Sequence, residues 1–169
     1  TGLFCKQALI RVGGFNQAIK FGEDWDLSLR IAARNKIYYL SEPLIYGRVF
    51  SDQQSNLLLS DEKTEKRFND HKMIIDGLEQ YLGTGITQEH INKALARAYI
   101  EYGIRLVAND RVERGRESVI TGDSLNHDDW FEGENFYHFV MSYAHALARS
   151  RSVEQGERFL DMIKTLEIV

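Results

Sequence analysis

A single cysteine, Cys5, among 169 residues excludes any internal disulfide and gives no sign of a stapled secreted scaffold. Long apolar runs are missing as well: none approaches the roughly 18 to 20 residues that a membrane-spanning helix needs. The N-terminus, Thr1-Gly2-Leu3-Phe4-Cys5-Lys6, has no charged stretch followed by an apolar one, so it is no signal peptide. It also lacks an initiator methionine, and the chain reads as a piece cut from a longer protein. Nor is there an excess of positive charge. Twenty-one Lys/Arg against 25 Asp/Glu give a net charge of −4, which argues against a general nucleic-acid binder.

What is present is the mixture of a globular protein, with 43% hydrophobic and 27% charged residues. The length suits one ordinary domain or two small ones, and it can bury a core without disulfides or metal. Charge divides unevenly. Residues 1–56 carry seven Lys/Arg against five Asp/Glu, while residues 57–169 carry fourteen against twenty. The only proline, Pro43, lies in the first part. The polar stretch around Gln53–Ser60 therefore reads as a linker or loop between two units.

The first unit mixes structure types. Lys6–Val12 predicts a short helix that stops at Gly13-Gly14, where glycine permits a left-handed turn. Asp24–Ala33 predicts a second, with Leu27 and Ile31 one turn apart. Ile37–Leu40 and Leu44–Phe50 are β-branched and aromatic runs divided by Ser41-Glu42-Pro43, which predicts two short strands.

From Ser60 onward the period is helical. Ser60 is placed to cap a helix whose first turn holds Asp61 and Glu62, favourable against the helix dipole. Phe68, His71, Ile75, Leu78 and Leu82 share its apolar stripe, and Gly83 closes it. Thr87 opens the next, with Ile91, Leu95, Ala98, Tyr102 and Leu106 inward. Two further helices follow the acidic stretch His127–Glu134. Val112-Glu113-Arg114-Gly115 recurs as Val153-Glu154-Gln155-Gly156, and the same offset puts Tyr102 on Tyr143, Gly103 on Ala144 and Leu106 on Leu147. Each unit is a long helix, a turn and a second helix, with small residues where the two approach. Such stacked hairpins resemble tetratricopeptide repeats, here with a longer period whose excess falls in the Gly122–Glu134 connection.

The densest signal lies earlier. Val12-Gly13-Gly14-Phe15-Asn16 is followed by Phe21-Gly22-Glu23-Asp24-Trp25-Asp26-Leu27 and Arg30. Ile37-Tyr38-Tyr39-Leu40, then Glu42-Pro43-Leu44-Ile45-Tyr46 and Arg48, complete it. This run, residues 2 to about 56, resembles the C-terminal end of the catalytic domain of family-2 glycosyltransferases. These are inverting, GT-A-fold enzymes that use nucleotide-sugar donors. The resemblance implies a mainly α chain: a small α+β remnant of a GT-A domain over residues 1–56, then a helical-hairpin tail over 57–169.

It also implies roles. Inversion needs a base to take the proton from the attacking acceptor hydroxyl, and Asp24 at a helix start is implied as that base. Glu23 is placed to hydrogen-bond an acceptor hydroxyl, and Trp25 to lay its ring on a sugar face. Asp26 reads as a first-turn helix carboxylate, and Arg48 as a weak candidate for donor phosphate. Phe50 departs from the pattern, because the family often has histidine two residues after the strand arginine. The nucleotide-binding half with its Asp-x-Asp metal motif does not lie upstream of Thr1, so the chain by itself is expected to be inactive.

For the whole enzyme the resemblance implies Mg²⁺ or Mn²⁺, a UDP-, GDP- or dTDP-sugar and a saccharide or lipid-linked acceptor. It implies polysaccharide or glycoconjugate assembly in the cytoplasm or at the inner membrane face. A homodimer is expected if the hairpin's edges stay unpaired. The rival expectation is a non-enzymatic module whose helical tail recruits a partner or dimerises.

Three further features carry a bland reading. His127, Asp128, Asp129, Glu132 and Glu134 form an acidic cluster without the oxygen pattern and central glycine of a calcium loop, and read as a solvated loop. His138 and His145 lie two turns apart, too far to share a metal. Cys5 reads as an ordinary buried thiol.

Overall fold

A computed structural model describes residues 2–44, 46, 60–126 and 134–166. It is mainly α, and no strand forms among the described residues. Helix α1 spans Lys6–Arg11 and ends where Gly13 and Gly14 take φ of 79° and 70°, values that L-side chains rarely adopt. Helix α2, Glu23–Ala32, follows Gly22 at φ 86° and carries Glu23, Asp24 and Asp26 in its first turn. There their charges face the positive end of the helix dipole.

Helix α3, Asp61–Asp76, is capped by Ser60, whose hydroxyl accepts the Lys63 N–H at 3.4 Å, and it tightens into a 3₁₀ turn over Gly77–Tyr81. Helix α4, Gln88–Ala108, opens with a reciprocal cap. Thr87 Oγ1 accepts the His90 N–H, and His90 Nδ1 accepts the Thr87 N–H, both at 3.2 Å. Helices α5 (Val112–Leu125), α6 (Glu134–Ser150) and α7 (Val153–Lys164) complete the chain, the last capped by Ser152.

The repeat read from the sequence is a repeat of packing. Helices α4 and α5 form one antiparallel hairpin and α6 and α7 another. A Cβ on Gly103 would stand 2.6 Å from the Gly115 carbonyl oxygen, and one on Gly115 would stand 2.8 Å from that of Gly103. In the second hairpin a Cβ on Gly156 would lie 2.8 Å from the Ala144 oxygen. Glycine is required there because another backbone occupies the space. Ile104, Val107, Val119, Tyr143, Leu147 and Phe159 are buried in the core that joins the two hairpins. At ~1.5–3 kcal/mol for each fully buried large apolar side chain, this core is the main favourable contribution of the tail. A second cluster, built on Ile75, Leu78, Tyr81, Ile91 and Ala98, receives Trp25 and Leu29 and so ties α2 to the tail.

Four expectations are corrected or limited. Ile37–Leu40 is irregular and exposed, with Tyr38 at 83% and Tyr39 at 89%, and Leu44 is likewise in no strand. A lone two-stranded hairpin is marginal in water, and among the described residues no sheet or helix covers these exposed side chains. The rest of the second run, with Arg48 and Phe50, lies outside the described residues. Leu82 faces solvent because the 3₁₀ turn rotates the stripe before it arrives. Cys5 is exposed, at the N-terminal end of α1, rather than buried.

Candidate functional site

The Gly-Gly-Phe turn and the Glu-Asp-Trp-Asp helix start are held together by Arg30. Its guanidinium donates to the carbonyl oxygens of Val12 at 2.5 Å and Gly14 at 2.8 Å, and it pairs with Asp26 Oδ2 at 2.6 Å. Asp26 is itself buried, so the first-turn carboxylate is also the counter-charge that aims the arginine fork. The sequence order Gly-Gly, Asp, Arg thus becomes one clamp.

Asp24 stands in the same first turn but faces solvent, and its Oδ1 accepts the N–H of Trp25 at 2.8 Å. Glu23 is partly exposed beside it. Trp25 turns inward and meets His71 edge-on, ring centroids 5.5 Å apart at 74°. Successive helix residues point about 100° apart, so Asp24 and Trp25 serve different surfaces.

Reading the sequence did not single out Asp70. This α3 carboxylate is fully buried. Its Oδ2 accepts the backbone N–H groups of Lys20 and Phe21, at 3.0 and 3.1 Å, and its Oδ1 pairs with Lys66. Lys66 in turn donates to the Ala18 carbonyl at 3.1 Å. The loop before α2 is therefore fastened to the helical tail by side chains one turn apart. The only trace in the sequence is a Lys66–Asp70 spacing of four, which any solvated helix face also shows.

Trp25 and His71 line a cleft of about 490 Å³ whose other wall is α4, with Ala94, Arg97, Ala98 and Glu101, and Asn126 at one end. Burial, and after it the Arg67 guanidinium, hold His71 below its ordinary value, which keeps the imidazole neutral. Arg67 lies 6.0 Å above the Phe21 ring. A second cleft, about 400 Å³, opens beside Gly13-Gly14 and is lined by Asp26, Arg30, Met73 and Tyr81.

Other candidates stay apart. Arg48 and His127, Asp128, Asp129 and Glu132 lie outside the described residues. His138 and His145 are both exposed on α6. Among the described residues no group of three or more His, Cys, Asp or Glu is placed to hold a metal ion, and no helix is long and apolar enough to cross a membrane. Comparison with family models, curated proteins and solved structures finds no match.

Proposed function

We propose that residues 2 to about 56 are the C-terminal end of a family-2 glycosyltransferase catalytic domain, followed by a tetratricopeptide-like helical tail. The observation that carries this reading is the clamp of Arg30, Asp26 and the Gly13-Gly14 turn, which leaves Asp24 in solvent at the first turn of α2. In the proposed reaction the Asp24 carboxylate takes the acceptor hydroxyl proton as that oxygen attacks the anomeric carbon. The bond from that carbon to the nucleoside diphosphate breaks, and the configuration inverts. Glu23 hydrogen-bonds the acceptor.

Mg²⁺ or Mn²⁺ would accompany the donor diphosphate. The described residues do not supply a donor set that fits it, so no step is derived through the metal. The nucleotide-sugar, the saccharide or lipid-linked acceptor, and a place in the cytoplasm or at the inner membrane face belong to the same proposal.

The test is consumption of UDP-, GDP- and dTDP-sugars by the protein encoded by the entire reading frame, beside its Asp24→Asn form. Loss of turnover with donor binding retained supports Asp24 as base. Unchanged turnover removes it.

A second reading, an interaction or dimerisation module, is favoured by one observation. Large apolar side chains left in solvent concentrate in the first unit, among them Ile10, Phe15, Ile37, Tyr38, Tyr39 and Leu40. Ile37, Tyr38, Tyr39 and Leu40 are consecutive in the chain, and an exposed apolar stretch of this kind offers a contact surface. Sedimentation of the chain over a range of concentrations tests it: a concentration-dependent dimer supports the module, a monomer throughout removes dimerisation.

A further inference from the structure

The cleft between Trp25 and α4 has the make-up of a ligand site rather than of a packing defect. Its volume, about 490 Å³, falls within the ~300–1,000 Å³ of small-molecule sites. Ala94 and Ala98, whose side chains are short, line it together with Trp25. The ring is fixed by its edge contact with His71, so its orientation is set before any ligand arrives.

The polar groups around it suit hydroxyls. A neutral imidazole offers one donor and one acceptor, the complement of an alcohol, and His71 is kept in that form by burial. Glu101 is oriented by Arg97, whose Nε donates to its Oε1 at 3.3 Å, and it adds an acceptor on the α4 wall. Asn126 contributes an amide at the end. The cations on the rim already have carboxylate partners, Lys93 with Glu89 at 3.5 Å and Arg97 with Glu101. The cleft is therefore poorly made for a phosphate. An aromatic face binds C–H edges through its negative quadrupole, and with hydroxyl-matching groups around it the site selects a pyranose ring.

We propose that this cleft holds a neutral sugar unit of an oligosaccharide acceptor, with the tail helix α4 supplying one wall of the subsite. Calling that oligosaccharide an acceptor rests on the transferase reading; binding of the sugar does not. Because Trp25 lines the cleft and Asp24 does not, the bound unit is a different one from that whose hydroxyl meets Asp24. Contacts to a non-reacting unit supply binding energy that orients the reacting end.

The experiment uses tryptophan emission. The chain has two tryptophans, so Trp130→Phe leaves Trp25 as the sole reporter. Maltose, cellobiose, lactose and N,N′-diacetylchitobiose are titrated into this form through the millimolar range, with inorganic phosphate in a parallel series. The expected result is a saturable change with at least one disaccharide, unaffected by phosphate. Glu101→Gln should weaken it about tenfold, as expected for loss of a charged hydrogen-bond partner. Ala94→Phe, which fills the cleft and removes no polar group, should abolish it while the circular-dichroism melt shows the helices intact. No saturable change with any disaccharide overturns the proposal. So does a change that phosphate competes away, or one that survives Ala94→Phe. Asp24→Asn separates the two readings: sugar binding by this form without transfer by the wild type leaves a saccharide site and removes the transferase. Transfer without binding in the cleft puts the acceptor elsewhere.

Discussion

Asp70, fully buried in α3, accepts the backbone N–H of Phe21 at 3.1 Å, and this bond joins the loop before α2 to the helical tail. The same carboxylate takes the Lys20 N–H and pairs with Lys66. His71, the next residue in α3, meets Trp25, and Trp25 and Leu29 pack on the same cluster, so α2 is tied to the tail at more than one point.

Asp70→Ala should therefore cost about 3 kcal/mol, the usual result of breaking a buried pair and stranding its partners. Urea unfolding would measure it. Amide exchange adds a local check: the Lys20 and Phe21 amides should lose protection by more than those of α6. Equal loss everywhere would mean that Asp70 stabilises the tail alone.

Gly103→Ala and Gly77→Ala should have opposite signs. At Gly103 a methyl group meets the Gly115 oxygen at 2.6 Å and Val119 Cγ2 at 2.6 Å, so the α4–α5 hairpin must open, at about 2 kcal/mol or more. At Gly77, with an ordinary helical φ of −62°, a methyl group meets nothing within 4 Å. Loss of backbone freedom in the unfolded chain should then stabilise by ~0.5–1 kcal/mol. Paired thermal melts decide both.

His71 makes stability depend on pH. Its folded-state value lies below its unfolded value of about 6.5, so the unfolded chain binds the proton first. Stability contributed by neutral His71 is present above about pH 6.5 and is lost as pH falls from there through the folded-state value. Arg67 and Arg105 push in the same direction, while Glu101 and Asp70 oppose them. His71→Gln should flatten this part of the stability–pH curve. An unchanged slope would assign it to another group.

Cys5 should be more reactive than an ordinary thiol. It is exposed, and hydrogen bonding from the backbone of Ala8 and Gln7 at the start of α1 holds its thiol below the usual value. The rate of alkylation by iodoacetamide should reach its midpoint at a lower pH than that of a free cysteine titrated beside it. Arg11→Ala should move that midpoint only slightly, since Arg11 is the smallest of the contributions. A midpoint at or above the ordinary value would remove the helix-end effect.

Helix starts at Ser60 and Thr87, the stop at Gly13-Gly14 and the pairing of Gly103 with Gly115 were all legible in the sequence. Each depends on groups within a few residues, or on a period that repeats. The Trp25 ring was legible only as a candidate. Nothing along the chain says that His71, 46 residues later, will meet its edge.

The sequence by itself determined that helices begin after Ser60 and Thr87, that the first stops at Gly13-Gly14, and that two hairpins pack through small residues at matching positions. Capping, dipole and side-chain volume act locally, and a neighbour's identity suffices to evaluate them. Only the tertiary structure decided that Asp70 would be buried against Lys20 and Phe21 and that Asp26 would aim Arg30. It also decided that α4 would face Trp25 across a cleft, and that Ile37–Leu40 would lie in solvent without a strand. Burial removes competing water and makes a distant pairing worth its ordering cost, and a strand exists only when a partner takes its backbone hydrogen bonds.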